Sequence, residues 1–160
     1  MNDLKGLTPR PVATEQDALD MATLRNVCRE GFSNSTDPIG ADQQRAWWAA
    51  NQHVMRAWLY FVPDLGPVGL VGFGLLRPHE VPGALATVVA VLPKWAGRGF
   101  GGAITRHLVR EAGDARVLAT ARRDNPAACR LHDADYWHEV PGPNAQLMYF
   151  RAKRPEERTA

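Results

Sequence analysis

The chain has 160 residues, of which 45% are hydrophobic and 22% charged, a composition typical of globular proteins that excludes disordered, collagen-like and coiled-coil chains. Lys and Arg number 19 against 17 for Asp and Glu, so the formal net charge is only +2. This small excess argues against nucleic acid or an acidic membrane as a partner and favours a small molecule. The length fits one domain, predicted over residues 1–154 with a polar tail at 155–160.

No uninterrupted apolar run is long enough for a signal peptide or a membrane span. We therefore expect a cytoplasmic protein that makes no membrane contact. The two cysteines, Cys28 and Cys129, fall in predicted helices without metal-ligand spacing around them. We expect free thiols and no metal site.

The first third of the chain predicts a short strand followed by two helices. Residues 7–12 contain two prolines, which suits the edge of a sheet. Thr14 offers a helix N-cap with Asp17 three residues later, and apolar residues then recur at helical spacing over 19–28. After a loop rich in Gly, Asn, Ser and Asp, a second helix is predicted over Ala41–Asn51.

The rest of the chain predicts a mixed α/β layout. Three antiparallel strands are predicted over 58–62, 68–76 and 84–92, and the third is apolar almost throughout, as in a strand buried on both faces. A helix follows and stops near Gly113. The last predicted elements are a strand over 117–121, a helix over 126–134 and a strand over 146–152.

A turn dense in glycine joins the apolar strand to the helix that follows it. It contains Gly97, Gly99, Gly101 and Gly102. The N-terminus of a helix presents unpaired N–H groups and partial positive charge, and glycine allows a phosphate to approach the backbone closely. The turn is therefore predicted to bind a pyrophosphate.

The same glycines also match the dinucleotide pattern G-x-G-x-x-G, through Gly97, Gly99 and Gly102. In that interpretation Arg122 and Arg123, after the next strand, would indicate NADP. The preceding strands are predicted to be antiparallel rather than βαβ units, and only about 60 residues remain after the turn, which argues against a dinucleotide fold. No Gly-Lys-Ser/Thr follows, which excludes a nucleotide-triphosphate loop.

Residues 88–103 resemble the acetyl-coenzyme A motif of the GNAT superfamily of N-acetyltransferases, a strand, then Pro, then Gln/Arg-x-x-Gly-x-Gly/Ala opening a helix. Gly99 and Gly101 match this pattern, and Ala96 stands where Gln or Arg is usual. The family grips the pyrophosphate of acetyl-CoA mostly with backbone N–H groups. The resemblance therefore implies coenzyme contacts from Ala96, Gly97, Arg98, Gly99, Phe100, Gly101, Gly102 and Ala103.

A second block, residues 125–132, resembles the Asn-x-x-Ala-x-x-Leu-Tyr element of the same family. Asn125, Ala128 and Leu131 match, and His132 takes the place of the tyrosine. The resemblance implies that Asn125 and Ala128 contact the pantetheine arm. With the opening strand and helix, residues 10–17, it extends over almost the whole chain.

The resemblance also implies a fold, a mixed and mostly antiparallel sheet flanked by helices in which the central strands splay apart. In the family the gap between those strands admits the pantetheine arm, whose amides pair with a strand edge. Val89 and Val91 are the backbone positions that would serve here.

The implied activity is transfer of an acetyl group from acetyl-CoA to a primary amine, by direct attack in a ternary complex. His132 is predicted to protonate the departing thiolate, with Tyr136 as the alternative donor. The general base is left open, because Thr87 is the single polar side chain on the strand where the family often carries it. The other candidates are His79 and Glu80, just before that strand, and Asp37 and Asp42.

The acceptor is expected to be a small-molecule amine, such as an amino sugar, a polyamine, an antibiotic or an amino acid. Trp47 and Trp48 are predicted to lie on one wall of its cleft. The alternatives are a protein or nucleobase amine as the acceptor, or a noncatalytic module that binds acetyl-CoA. Homodimer formation is left open, with the strand over 146–152 as a candidate interface.

Overall fold

The structure, a computed structural model, describes residues 4–32 and 36–158. One mixed sheet of seven strands carries helices on both faces. The strands are β1 (Thr8–Pro11), β2 (Arg56–Phe61), β3 (Leu70–Pro78), β4 (Ala84–Val91), β5 (Arg116–Arg122), β6 (Trp137–Val140) and β7 (Leu147–Ala152). The helices are α1 (Glu15–Cys28), α2 (Ala41–Asn51), α3 (Phe100–Glu111) and α4 (Pro126–Arg130).

The N-terminus of α1 is a capping box, as the sequence predicts. The Asp17 amide donates to Thr14 Oγ1 at 3.1 Å, and the Asp17 carboxylate accepts from the Thr14 amide at 3.3 Å. Two amides at the start of the helix thus find acceptors without the help of water. The helix ends at Cys28 and runs into a 3₁₀ turn over Arg29–Gly31.

The strand order across the sheet is β1-β2-β3-β4-β5-β7-β6. Every neighbouring pair is antiparallel except β4 and β5, which run parallel. The mixed and mostly antiparallel sheet predicted from the sequence is confirmed. Within the described residues, no helix is long and apolar enough to cross a membrane.

Apolar clusters on the two faces of the sheet hold the helices in place. On one face α3 packs Ile104 and Leu108 against Trp58 and Tyr60 of β2. On the other face α1 packs against β2 and β3, and a third cluster joins α3 and α4 to strands β5 to β7. Because β2 is buried on both faces, four successive residues of that strand are buried.

Two expectations from the sequence are corrected. The strand β6 was not predicted, and the helix predicted over 126–134 ends at Arg130. The chain then turns at Asp133, whose carbonyl accepts from the Trp137 amide at 2.9 Å, so that the start of β6 follows at once. Strand β7 lies between β5 and β6, so it is not an edge strand of the sheet, and homodimer formation stays a prediction.

The polar tail predicted from residue 155 is tied to the sheet as far as residue 158. It forms a 3₁₀ turn over Pro155–Glu157. The Glu157 carboxylate lies 3.2 Å from the Arg151 guanidinium and 2.9 Å from His138 Nε2, and these two hydrogen bonds lower its pKa to about 2. Residues 159 and 160 lie outside the described residues.

A buried polar network links α3 to β2. The Tyr60 hydroxyl lies 2.7 Å from His107 Nδ1, and His107 Nε2 lies 3.4 Å from the Glu111 carboxylate. Because a carboxylate can only accept, Nε2 carries the proton and Nδ1 accepts from the Tyr60 hydroxyl. Burial lowers the pKa of His107 and raises that of Tyr60, so both groups stay neutral at pH 7.

We expect Tyr60→Phe to lower the free energy of unfolding by about 1–3 kcal/mol, because His107 Nδ1 would be left buried without a donor. Urea titration at pH 7 measures this change. The control is Tyr149→Phe, which removes a hydroxyl that accepts from the exposed Asn144 amide at 3.1 Å. The control should lose less, and equal losses in the two variants would contradict a special cost for the buried pair.

Candidate functional site

The central feature of the site is a gap between β4 and β5. The two strands pair through three residues each, Ala84–Ala86 with Arg116–Leu118, and then diverge. Beyond that point β4 continues beside β3, and β5 continues beside β7. The splayed central strands expected from the sequence are therefore present.

The backbone of β4 beyond Ala86 presents alternate residues to this gap. The Leu92 amide donates to the Val71 carbonyl at 2.8 Å, so residue 92 directs its backbone groups toward β3. Because hydrogen-bonding direction alternates along an antiparallel strand, Val89 and Val91 direct theirs toward the gap. The Cys28 thiol donates to the Val91 carbonyl at 3.4 Å from that side, which agrees with this orientation.

The glycine turn lies beside the open end of the gap. Gly97 and Gly99 have φ of 77° and 81°, a left-handed conformation that favours glycine. The first hydrogen bond within α3 runs from the Ala103 amide to the Gly99 carbonyl at 3.2 Å. The N–H groups of the first helical turn before Ala103 therefore have no partner inside the helix and are available to an anion.

Gly101 and Gly102 differ in what surrounds them. A Cβ atom on Gly101 would collide with Leu131 Cδ2, so glycine lets α3 approach the end of α4 closely. A Cβ atom on Gly102 would meet no heavy atom within 4 Å. Position 102 can therefore accept a side chain without disturbing the helix.

The turn and the gap line one cavity of about 560 Å³, called here the turn cavity. Its wall contains every coenzyme contact predicted from the sequence except Arg98 and Ala103. The predicted residues on its wall are Val89, Val91, Ala96, Gly97, Gly99, Phe100, Gly101, Gly102, Asn125 and Ala128.

The two exceptions have other surroundings. The Arg98 guanidinium lies over the Trp95 ring, 4.9 Å from its centroid, and Ala103 is buried with 4% of its surface exposed. Contacts from these two residues to a coenzyme stay predictions.

Asn125 joins two elements at the wall of the turn cavity. Its Oδ1 accepts from the Ala128 amide at 3.1 Å and so caps α4, while its Nδ2 donates to the Gly31 carbonyl at 3.2 Å. The cap fixes the start of α4, and the second bond holds α4 against the turn that follows α1. Both polar atoms of this side chain already have protein partners.

Several wall residues had no sequence prediction. Cys28, Gly31 and Phe32 come from the end of α1, more than fifty residues before the glycine turn, so no local pattern signals them. Leu131 lies within the second motif and could have been chosen from it. Lys5 lies outside the cavity wall, but a Cβ atom on Gly99 would be 3.0 Å from Lys5 Nζ, which places an ammonium group at the turn.

These features fit the parts of acetyl-CoA. The free N–H groups of α3 and the Lys5 ammonium suit a pyrophosphate, and the unpaired edge of β4 suits the amides of a pantetheine arm. The Trp95 indole Nε1, on a residue of the wall, is buried without a hydrogen-bond partner among the described residues. The wall is otherwise largely apolar.

A second cavity of about 150 Å³, the gap cavity, lies between the diverging strands. It shares Gly31, Phe32, Val89, Ala128 and Leu131 with the turn cavity, so the two cavities adjoin. Its polar wall groups come from strands β3, β4 and β5, from the loop after β3 and from the end of α4. They are Arg77, His79, Thr87, Thr120 and His132.

The His132 imidazole is held neutral. Its Nδ1 lies 3.1 Å from the Ala128 carbonyl, which can only accept, so Nδ1 carries the proton and Nε2 has none. The ring stacks on Phe150 at 4.4 Å and meets the edge of Trp137 at 4.9 Å. Burial lowers the pKa of His132 to about 4.

The other candidate acid and base residues differ in position. Tyr136 lies between the Arg106 and Arg158 guanidinium groups, 4.6 and 5.0 Å from its ring centroid, and lines neither cavity. The His79 Nδ1 accepts from the Val81 amide at 3.0 Å, so this nitrogen is already occupied.

A third cavity of about 170 Å³, the helix cavity, lies between the sheet and helices α1 and α2. Arg77 and Val88 belong to both this cavity and the gap cavity. Trp47 is half-buried and lines it, whereas the neighbouring Trp48 does not. Of the two tryptophans predicted on the wall of the acceptor cleft, Trp47 lines the helix cavity, and the role of either in binding an acceptor stays a prediction.

Comparison with solved structures shows the same fold in several acetyltransferases. The protein yncA from Salmonella typhimurium, solved with its cofactor acetyl-CoA, is 18% identical with a TM-score of 0.70, over 91% of this chain and 92% of that chain. Spermidine N-acetyltransferase from Vibrio cholerae, solved with CoA and spermine, is 13% identical with a TM-score of 0.65, over 92% and 94% of the two chains.

Ribosomal-protein-alanine N-acetyltransferase from Brucella melitensis is 18% identical with a TM-score of 0.69, over 90% of this chain and 98% of that chain. No functionally curated protein matches the sequence. The model of the acetyltransferase (GNAT) family matches residues 20–136, well over half of the chain and including the gap, the glycine turn and α4. The chain therefore belongs to the GNAT family of acetyltransferases.

Proposed function

We propose that the chain transfers the acetyl group of acetyl-CoA to the primary amine of a small molecule. The observation that carries this proposal is that the turn cavity and the gap cavity adjoin, with Val89, Ala128 and Leu131 on the walls of both. An anion site, an unpaired strand edge and a small polar cavity follow one another along one path. A thioester at the junction would face the acceptor side.

Acetyl-CoA would supply an acetyl group activated as a thioester. The amides of Phe100, Gly101 and Gly102 would hold its pyrophosphate, with Lys5 adding a positive charge. The backbone groups of Val89 and Val91 would bind the pantetheine amides and so set the depth of the thioester in the gap. These residues position the reactants, and the amine attacks the carbonyl directly.

We expect Gly102→Glu to weaken acetyl-CoA binding by about a hundredfold, because a carboxylate at the start of α3 would repel the pyrophosphate. The side chain has room, and glycine at this helical position is replaced by a better helix former. Isothermal titration with acetyl-CoA measures the affinity.

The matched control is Gly102→Gln, which has the same shape without the charge and should lose at most a few-fold. Affinity that is equal in the two variants would show that no phosphate lies near residue 102. NADP titrated beside acetyl-CoA tests the dinucleotide interpretation of the same glycines.

In this proposal His132 is the proton donor to the departing thiolate, and the proton it donates is the one that the attacking amine releases, taken up at the unprotonated Nε2. With a pKa of about 4, only about one imidazole in a thousand carries a second proton at pH 7. A thiolate that forms beside the ring would raise that pKa, because a nearby negative charge favours the protonated form. Solvent is the competing donor, since the gap cavity opens to water.

We expect His132→Phe to lower kcat at least about tenfold while the Kd for acetyl-CoA stays unchanged, because a phenyl ring fills the same space but holds no proton. Turnover at saturating acetyl-CoA measures the first quantity and titration the second. Unaltered turnover would assign the protonation of the thiolate to solvent.

The free energy of unfolding of His132→Phe at different pH values tests whether His132 is neutral in the folded wild type. The folded pKa of about 4 lies below the ordinary value of 6.5, so the stability tied to neutral His132 is present above pH 6.5 and is lost as the pH falls toward 4. Between pH 7 and 4.5 the wild type should lose about 2–3 kcal/mol more than His132→Phe in urea titrations. His53→Phe, at an exposed position, should keep the pH dependence of the wild type.

Turnover of acetyl-CoA with a panel of amines tests the function as a whole. We expect free thiol to appear only when an acceptor is present, at a rate that saturates with the acceptor. The small gap and helix cavities favour small molecules over a folded protein surface. A protein that binds acetyl-CoA tightly but consumes none with any small amine, peptide or nucleobase would be a noncatalytic binding module.

A further inference from the structure

The acceptor side of the site contains a cation without a partner. Arg77 lies near the end of β3 and lines both the gap cavity and the helix cavity. Its side chain is half-buried, and no residue in the described ranges 4–32 and 36–158 forms a hydrogen bond or an ion pair with it. A guanidinium kept partly out of water without an anion is costly unless a ligand supplies one.

A second arginine lies close to the first. Arg25 of α1 lines the helix cavity, donates to the Asp37 carbonyl at 3.3 Å and packs over the Phe32 ring at 4.8 Å. Burial and the charge of Arg77 lower its pKa, and Asp37 acts in the opposite direction. Two like charges in one cleft repel each other, and an anion between them would relieve that repulsion.

The walls of the two acceptor cavities hold no opposite charge. None of the described residues that line the gap cavity or the helix cavity is Asp or Glu. On these walls a polyamine chain would find two guanidinium groups and no carboxylate for its remaining ammonium groups, because Asp37, whose charge acts on Arg25, lines neither cavity. Spermine, which is bound in the structure of the Vibrio cholerae enzyme, is a poor match for these walls.

Apart from its two arginines and from Gln43 and Gln44 of α2, the helix cavity is lined by apolar residues. Met21, Ile39 and Trp47 contribute from the helices and the loop between them, and Phe73 and Leu75 contribute from β3. An apolar group of a few carbon atoms would fill about 170 Å³ and be shielded from water there. Arg77 lies at the boundary between this apolar space and the gap that leads to Val89.

We propose that the acceptor is an amine that carries a carboxylate next to its amino group and an apolar side chain, as an apolar α-amino acid does. The carboxylate pairs with Arg77 and lies near Arg25, the side chain enters the helix cavity, and the amine points along the gap toward Val89. A planar guanidinium suits a carboxylate through two parallel hydrogen bonds. This inference rests on the proposed function and narrows its substrate.

The test compares matched acceptors on matched variants. The acceptors are L-leucine, L-methionine and L-phenylalanine, the amide of each, and spermidine. The variants are Arg77→Gln and, as a control with the same change of charge, Arg116→Gln, which lies on the exposed start of β5 away from all three cavities named above. The readouts are kcat/KM from thiol release and the Kd of each acceptor for the CoA-saturated protein.

We expect the wild type to favour at least one of the acids over spermidine, and Arg77→Gln to lower kcat/KM for that acid about ten- to a hundredfold. Its amide should change less than about threefold, because it cannot form the charged pair. Because amidation also changes the basicity of the amine, the comparison is made between variants for each acceptor. Arg116→Gln should behave as the wild type.

Two outcomes would overturn the inference, and they differ from failure of the proposed function. One is a preference for spermidine or the amides, and the other is an equal loss for acid and amide in Arg77→Gln. Either leaves the acetyltransferase activity in place. If the acids bind the CoA-saturated wild type and lose affinity in Arg77→Gln while no acceptor is turned over, the anion site stands and the proposed activity fails.

Discussion

The site depends on the point at which β4 and β5 stop pairing. After three residue pairs each strand keeps a neighbour on its other side, β3 for β4 and β7 for β5, so the sheet stays continuous while one ladder is lost. At Val89 and Val91 the edge of β4 has no strand partner, and of its backbone groups the Val91 carbonyl accepts from the Cys28 thiol. A protein interior tolerates such groups only where a side chain, a ligand or water can reach them. The opening that exposes this edge also creates the cavity that leads to the acceptor side.

The two parts of the site use different kinds of chemical group. On the coenzyme side the groups are backbone amides, at the start of α3 and along β4, and glycine is required where the chain must turn or approach closely. On the proposed acceptor side the groups are side chains, among them Arg25 on α1 and Arg77 on β3. The chain as a whole is nearly neutral, with a formal charge of +2, yet the cleft itself is cationic.

Local signals in the sequence predicted much of the coenzyme side. The capping box at Thr14, the bounds of α2 and the glycine turn all follow from residues within one or two turns of each other. Contacts between distant segments left no such signal. Glu157 forms hydrogen bonds with Arg151 and His138. His107 is buried between Tyr60 and Glu111. Nothing in the sequence next to Glu157 or His107 indicates these contacts. The four residues of β6 are too few to show a period.

This division explains why a shared fold says little about the acceptor. A glycine turn and a splayed strand edge must be kept wherever the same coenzyme binds, because backbone geometry admits few alternatives. The arginines at 25 and 77 occupy positions that neither motif specifies, and a change there alters the charge of the cleft without moving the turn. Two enzymes of this fold can therefore share strands, helices and coenzyme while the charges of the side chains around the cleft select different acceptors.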